Sequence, residues 1–394
     1  MPFAVYVLGV AVFAISTSEF MLSGLVPAIA ADLAVSIPDA GMLTSAFAIG
    51  MVVGGPPLAV LTMRWERRRA LGAFLVAFAV VHVVGAVATD YAVLMVTRVL
   101  GALACAAFWA VAATAAIGMA GENAKARAMS VVVGGTTLAC VAGVPGGAFL
   151  GQHLGWRAAF WAVAVLSALS VIAVLATLPP SAPGPVARVE LKPLFSKPLV
   201  VAYALNALVQ GATFCTFTYL APLVTEVAGL GAGWIPGTLV LFGIGSFIGI
   251  TVGGRIADAR PLTVLGAGMA ALALGWAVLA LTAGNAVVAV ALVFVQGLLA
   301  FGIAPVLTSR VFYLAGFAPT LAGGLSTAAF NVGNTVGPWF GGLAIDAGLG
   351  FRSPVWVSAL MMIMALGVFA LIPKNSGKNV RRRVDPGRAR STHG

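Results

Sequence analysis

Apolar residues do not alternate with polar ones along this chain. They run on for about 20 residues or more, twelve times over. The runs are 4–29, 39–62, 70–89, 91–118, 129–152 and 158–178, then 198–224, 235–254, 262–282, 286–309, 321–345 and 354–373. A helix rising about 1.5 Å per residue needs about 20 apolar residues to cross the hydrocarbon core of a bilayer. Each run therefore predicts a transmembrane helix. Gly and Pro recur inside them, which membrane helices tolerate because neighbouring groups satisfy the freed backbone. A transmembrane β-barrel would need short segments of alternating polarity instead. The fold class expected is all-α membrane, with twelve spanning helices.

Composition points the same way. Of the 394 residues, 61% are hydrophobic and 8% charged, and the mean hydropathy is +1.07; soluble domains are about 25% charged. The charges also have a side. With the N-terminus in the cytoplasm, Arg64, Arg67, Arg68, Arg69, Lys125, Arg127, Arg188, Lys192, Lys197, Arg255, Arg260, Arg310 and the basic tail all fall inside. Only Arg157 and Arg352 fall outside, together with Asp32, Asp39, Asp90, Glu226 and Asp346. Inside-positive loops set orientation, so both termini are expected in the cytoplasm, on a multi-pass protein of the cell membrane. The net charge of +11 is then mostly a topology signal. It calls for a lipid bilayer as partner and for no nucleic acid. No cleavable signal peptide is evident, since the first run lacks a basic start and is too long.

A self-match at one offset, 195 residues, divides the chain. Pro27 aligns with Pro222, Asp90 with Asn285, Gly147 with Gly342, and GWRAAFW (155–161) with GFRSPVW (350–356). Six helices per half is an even number, so the halves enter the membrane the same way round. They form parallel repeats about an axis along the membrane normal, an arrangement of secondary transporters that bind at the midplane between halves. The expected organisation is a six-helix bundle over 1–178, a cytoplasmic linker over 179–197, a second bundle over 198–373 and a basic tail over 374–394.

One charge breaks the first apolar run. Glu19 sits well inside it, where an acid at a helix centre costs about 2.5–3.5 kcal/mol on insertion scales. Arg98 lies about seven residues into the fourth run, at a depth that makes a pair with Glu19 feasible. Intramembrane ionisable groups usually face a cavity and find partners. Ser16 and Ser23 share the helical face of Glu19. Asn206, Gln210 and Thr213 share a face of the seventh helix, and Thr327, Asn331 and Asn334 one of the eleventh. Such groups either contact a substrate or link helices, and neutral amides suit an uncharged or zwitterionic ligand. Phe108, Trp109, Phe214 and Tyr219 offer an apolar wall for an aromatic ligand, with core packing as the competing reading. His82 reads as a packed histidine, and Cys105, Cys140 and Cys215 as packing thiols.

Three stretches resemble the major facilitator drug:proton antiporters. The turn GGPPLAVLTMRWERRRAL carries Arg64, Arg67 and Arg68 at the basic positions of the family's gating signature, but Met63 stands in place of its aspartate and Glu66 in place of its second glycine. The second-half copy, GGRIAD, keeps Gly254 and Asp258. The fifth helix, GGTTLACVAGVPGGAFLGQHLGWR, is similar to the family's antiporter motif through Gly143, Pro145, Gly147 and Gly151. SEFMLSGLVPAIAADL is similar to the first helix of the branch holding actinomycete chloramphenicol exporters. The resemblance spans nearly the whole chain. It implies efflux of a small amphipathic antibiotic, chloramphenicol first, by a monomer exchanging drug for protons through Glu19 and Arg98. The alternative within the superfamily is an exporter of sugars or nucleosides. No phosphate-binding glycine loop, metal-ligand cluster or hydrolytic triad is visible, so no cofactor and no enzyme activity are expected.

Overall fold

A computed structural model describes residues 2–62, 65–120, 124–180, 192–257, 261–315 and 319–372. Met63, Arg64, Asp258, most of the linker and the tail lie outside the described residues. Among the described residues every regular element is helical. Six long helices come from the first half: α1 (Phe3–Phe20), α2 (Ile37–Thr62), α3 (Arg67–Val87), α4 (Tyr91–Met119), α5 (Lys125–Leu138) and α6 (Trp156–Thr177). Six come from the second: α7 (Lys197–Thr218), α8 (Trp234–Ala257), α9 (Pro261–Thr282), α10 (Ala286–Leu314), α11 (Pro319–Ala344) and α12 (Ser353–Ala370).

Among the described residues, eleven helices are long and apolar enough to cross a membrane. The exception is α11. It has 26 residues, ample length, but Asn331, Asn334, Thr335 and its many glycines dilute its apolar character. That composition fits its place, because α11 packs between α7 and α2 at the centre of the bundle rather than against lipid.

The repeat read from the sequence reappears in the backbone. Helices α4 and α10 are each 29 residues long and begin at Tyr91 and Ala286, positions 195 apart. Both are capped by the matched pair: Asp90 accepts from the backbone N–H groups of Ala92 and Val93, and Asn285 from that of Val288. A side-chain oxygen at this position satisfies the otherwise free amides of a helix start. Gly155 and Gly350, also matched, both adopt positive φ (83° and 74°) before α6 and α12. Only glycine occupies that region without steric cost.

Two large apolar cores result, one drawn from residues 4–178 and one from 205–372 that also takes in Phe20, Val144 and Ala148, with a small third cluster of Leu194, Leu199, Ala202, Val311 and Ala315. Between the halves α2 packs on α11, and α5 on α8. Close backbone approaches make this possible. Gly243 of α8 lies against the Cys140 carbonyl, where a Cβ would come within 2.7 Å. Inside the second half the tight contact is Gly253 against Gly302 of α10, whereas Gly254, singled out by the signature, is exposed with open space around it.

Candidate transport site

The fifth helix changes pitch in the middle of the motif. A five-residue π turn, Ala139–Gly143, leads into Val144–Leu154, with Pro145 at its start. Proline lacks an N–H and disfavours a straight helix at this point, and π turns are a known outlet. The turn lays Gly143 on the Thr17 side chain, Gly147 on Met21 and Gly151 on Leu25. The three motif glycines thus form the seat of α1 on the fifth helix. Past Phe20, α1 tightens into a 3₁₀ turn, Met21–Gly24, and resumes as Val26–Asp32.

Glu19 is the last polar residue before that turn. It lines a cavity of about 10 Å³ with Phe20, Thr44, Phe47, Phe214 and Asn334. The walls therefore come from α1 and α2 of one half and α7 and α11 of the other. Phe214 stands 195 residues beyond Glu19, so the two halves present equivalent positions to one space, one acidic and one aromatic. Phe214 packs on Phe20 with ring centroids 5.3 Å apart and on Phe330 at 6.0 Å. Thr44 Oγ1 and Asn334 Oδ1 are buried without a hydrogen-bond partner. A space of about 10–15 Å³ holds one water molecule, and buried polar atoms normally find a partner. The cavity has room and unsatisfied groups for a water, and none for a drug, which takes about 300–1,000 Å³. A larger groove, about 580 Å³, lies away from Glu19 at the Arg67 end of the first half, between Phe3, Arg67, Met119 and Leu178.

Arg98 is 1% exposed. Its guanidinium lies over the Phe47 ring, 4.4 Å from the centroid. It donates to the Ser18 hydroxyl (2.9 Å) and to the Ser18 carbonyl (3.0 Å). No ion pair with Glu19 is present among the described residues, although the two are within electrostatic reach. The Ser18 hydroxyl also meets His82 Nε2 at 2.6 Å, and His82 Nδ1 meets the Phe78 carbonyl at 2.7 Å. Arg98, Ser18 and His82 thus form one buried network across α4, α1 and α3. Sequence reasoning named Arg98 and passed over Ser18 and the role of His82. Ser18 lies 80 residues from Arg98 and 64 from His82, and no spacing rule connects them.

The other expected site residues divide. Asn334, Phe214 and Glu19 are brought together. Gln210 is buried on α7 with Oε1 unpartnered, and Asn331 Oδ1 is likewise free while its Nδ2 donates to the Thr327 carbonyl. The remaining ones link helices or pack. Ser16 shares a hydrogen bond with Thr136 of α5, Ser23 donates to the Phe20 carbonyl, and Asn206 donates to the Ser326 carbonyl and hydroxyl. Phe108 belongs to the first apolar core, with Trp109 packed against it. Arg67 and Arg68 are half-buried at the start of α3, where Arg69 pairs with Glu66 at 2.9 Å.

Several unforeseen contacts hold the halves together around this site. Ser45 of α2 donates to the Thr335 carbonyl of α11 (2.9 Å), and Gln152 donates to the Ala232 carbonyl before α8. Tyr219, just past α7, donates to the Pro338 carbonyl (3.0 Å) and lies 1% exposed against Gly41 of α2 and Gly342 of α11. It closes the space on the side of the helix ends that carry Asp32 and Asp90. There Asp32 takes hydrogen bonds from Arg157 and from Trp156 Nε1, which hold its carboxyl below the usual carboxylate range. Arg157 donates in addition to the Ala88 carbonyl (2.8 Å).

Among the described residues, twelve helical segments in two repeats, the fifth running on through its π turn to Leu154, surround a shared central space and define a membrane transporter fold. The family model described as Major Facilitator Superfamily matches residues 8–323, and the chain belongs to that superfamily. It is 49% identical to a chloramphenicol resistance protein of Streptomyces lividans over 93% of this chain and 95% of that one. It is 34% identical to the inner membrane transport protein YdhP of Escherichia coli (strain K12), over 91% and 93% of the two chains. Among solved structures, an inward-facing bacterial homologue of the human lysosomal transporter Spinster superposes with a TM-score of 0.74 at 16% identity, covering 93% of this chain and 95% of that one.

Proposed function

We propose that this transporter exports chloramphenicol, or a closely similar small amphipathic antibiotic, from the cytoplasm in exchange for protons. Glu19 carries the proton, and the carrying observation is its position: a carboxylate lining a small space built from both halves, beside two unpartnered polar atoms. A proton bound there is felt by both halves, so its arrival and departure bias how they pack. The units 1–178 and 198–373 rock about this space, with both termini in the cytoplasm and the Asp32 end facing out. The cavity described here is too small for a drug, which supports a cycle in which the halves separate before substrate enters. The 49% identity to a chloramphenicol resistance protein supports the substrate. The neutral carboxamides of Gln210, Asn331 and Asn334 suit its hydroxyl and amide groups.

The test is drug susceptibility in a sensitive host. The unmodified chain raises the inhibitory concentration of chloramphenicol, and a protonophore abolishes the rise. Glu19→Gln inserts normally and confers no proton-driven resistance. Full resistance and proton coupling in that variant would remove Glu19 from the mechanism. Uptake of labelled sugars and nucleosides into inverted membrane vesicles from the same host tests the alternative substrates.

A further inference from the structure

With His82 as the neutral imidazole, the hydrogen bonds that hold Arg98 have a single direction. The Phe78 carbonyl can only accept, so His82 carries its proton on Nδ1 and presents Nε2 as an acceptor. Arg98 can only donate. Ser18 therefore accepts from Arg98 and donates to His82 Nε2. The chain runs from guanidinium to hydroxyl to imidazole to carbonyl, and each bond fixes the sense of the next. Phe78 and Phe160 pack against the imidazole, with centroids at 4.2 and 5.8 Å.

We infer that His82 is a positioning residue for proton exchange: through Ser18 it holds Arg98 off the adjacent Glu19, leaving that carboxylate without an ion-pair partner. The inference rests on the reading of Glu19 as the proton carrier. Without the acceptor at Nε2, the Ser18 hydroxyl is free to rotate and to turn its proton elsewhere. Arg98 then loses a fixed partner, while its Nε is already an unpartnered buried donor. The nearest anion is Glu19, on the residue after Ser18. The other ionisable groups within its field are the thiols Cys105 of α4 and Cys140 of the π turn after α5. Among the described residues, the cavity beside it is lined from α2, α7 and α11 by the uncharged Thr44, Phe47, Ala48, Phe214 and Asn334. An arginine that pairs with Glu19 favours the charged carboxylate and holds it ionised to lower pH.

The measurement is proton release on adding chloramphenicol to purified, unmodified-length protein in detergent, read with a pH dye between about pH 5 and 9. His82→Leu and Ser18→Ala move the release profile toward acid by about one pH unit or more, the size of an arginine's effect on a neighbouring carboxylate. His82→Gln, whose carboxamide offers both an acceptor and a donor, restores the original profile. A merely structural role would lower the amplitude and leave the profile where it is; that result in Ser18→Ala, the smallest change, overturns the inference even where His82→Leu fails to fold. Glu19→Gln run alongside separates the two levels. If it abolishes release while Ser18→Ala leaves the profile unmoved, only the role of His82 is lost. If it still releases protons, the carrier assignment itself is lost.

Discussion

Tyr219 gives the sharpest mechanical prediction. Its ring sits between Gly41 on α2 and Gly342 beyond α11's Pro338, at the closed end of the inter-half space. A Cβ at Gly41 would stand 2.5 Å from the Tyr219 hydroxyl and 2.7 Å from two ring carbons. Real contacts of this kind lie well beyond 3 Å, so Gly41→Ala forces something to move. The ring has little freedom, since Gly341 and Gly342 crowd its other side and its hydroxyl is bonded to the Pro338 carbonyl. Overpacking of this sort costs about 1–3 kcal/mol. The cost falls only on the arrangement in which α2 meets Tyr219. At about 1.4 kcal/mol per tenfold, the balance between this arrangement and one open at the Asp32 end moves roughly fivefold to a hundredfold toward the open one. The reporter is a cysteine at Ala48, which lines the Glu19 cavity and is 3% exposed, in a background lacking Cys105, Cys140 and Cys215. Gly41→Ala raises its rate of labelling by a membrane-impermeant thiol reagent by the same factor. Replacing Tyr219 with Ala in addition removes the effect of Gly41→Ala. An unchanged labelling rate in well-expressed Gly41→Ala protein would refute the reasoning, because it would mean that the packing at Tyr219 does not depend on which arrangement the halves adopt.

Two further outcomes follow from the local chemistry. Asp90→Ala removes the acceptor for two amides at the start of α4 and lowers stability to denaturation in detergent by about 1 kcal/mol, the usual cost of an N-cap; Asn285→Ala, with one capped amide, loses no more than that. For Asp32, the hydrogen bonds from Arg157 and Trp156 lower the folded-state value, so the associated stability is complete above the ordinary carboxylate range near 4 and is lost as pH falls through the lowered value. Asp32→Asn flattens that acid limb in melting curves recorded from pH 7 to pH 3; the pair is solvent-screened, and its share is within about 1 kcal/mol.

What the sequence conveyed well were features written in consecutive residues. Long apolar runs have one solution in lipid, and short signals such as Asp90, Asn285, Gly155 and Gly350 mark where each repeat turns. Side-chain partnership was harder to read. Ser16, Glu19 and Ser23 share a face on an ideal helix, yet the 3₁₀ turn at Met21–Gly24 winds more tightly than 3.6 residues per turn and directs Ser23 back onto the Phe20 carbonyl. Arg98 sought its partner in the backbone and hydroxyl of Ser18 because those groups lay in reach and cost no second buried charge. Phe108 and Phe214 look alike in sequence and both are buried in an apolar core, yet Phe214 also borders the Glu19 cavity, a difference decided by the packing of α4 and α7. Gly253 carries the close approach to α10 and its neighbour Gly254 does not, because one residue on a helix is a turn of about 100°.

If Glu19 carries the proton as proposed, its pairing with Phe214 across one cavity also sets a thermodynamic ceiling. The repeat supplies two equivalent positions, and one of them holds a benzyl group that cannot bind a proton. Under the exchange proposed above, with Glu19 as its carrier, one proton crosses per cycle. Against a neutral drug, that is one net charge crossing inward each time. A membrane potential of 100 mV contributes about 2.3 kcal/mol per charge, and each unit of pH difference about 1.36 kcal/mol. The concentration ratio sustainable across the membrane is then about fiftyfold per 100 mV and tenfold per pH unit. A second carboxylate in place of Phe214 would square that ratio and make every cycle carry twice the charge.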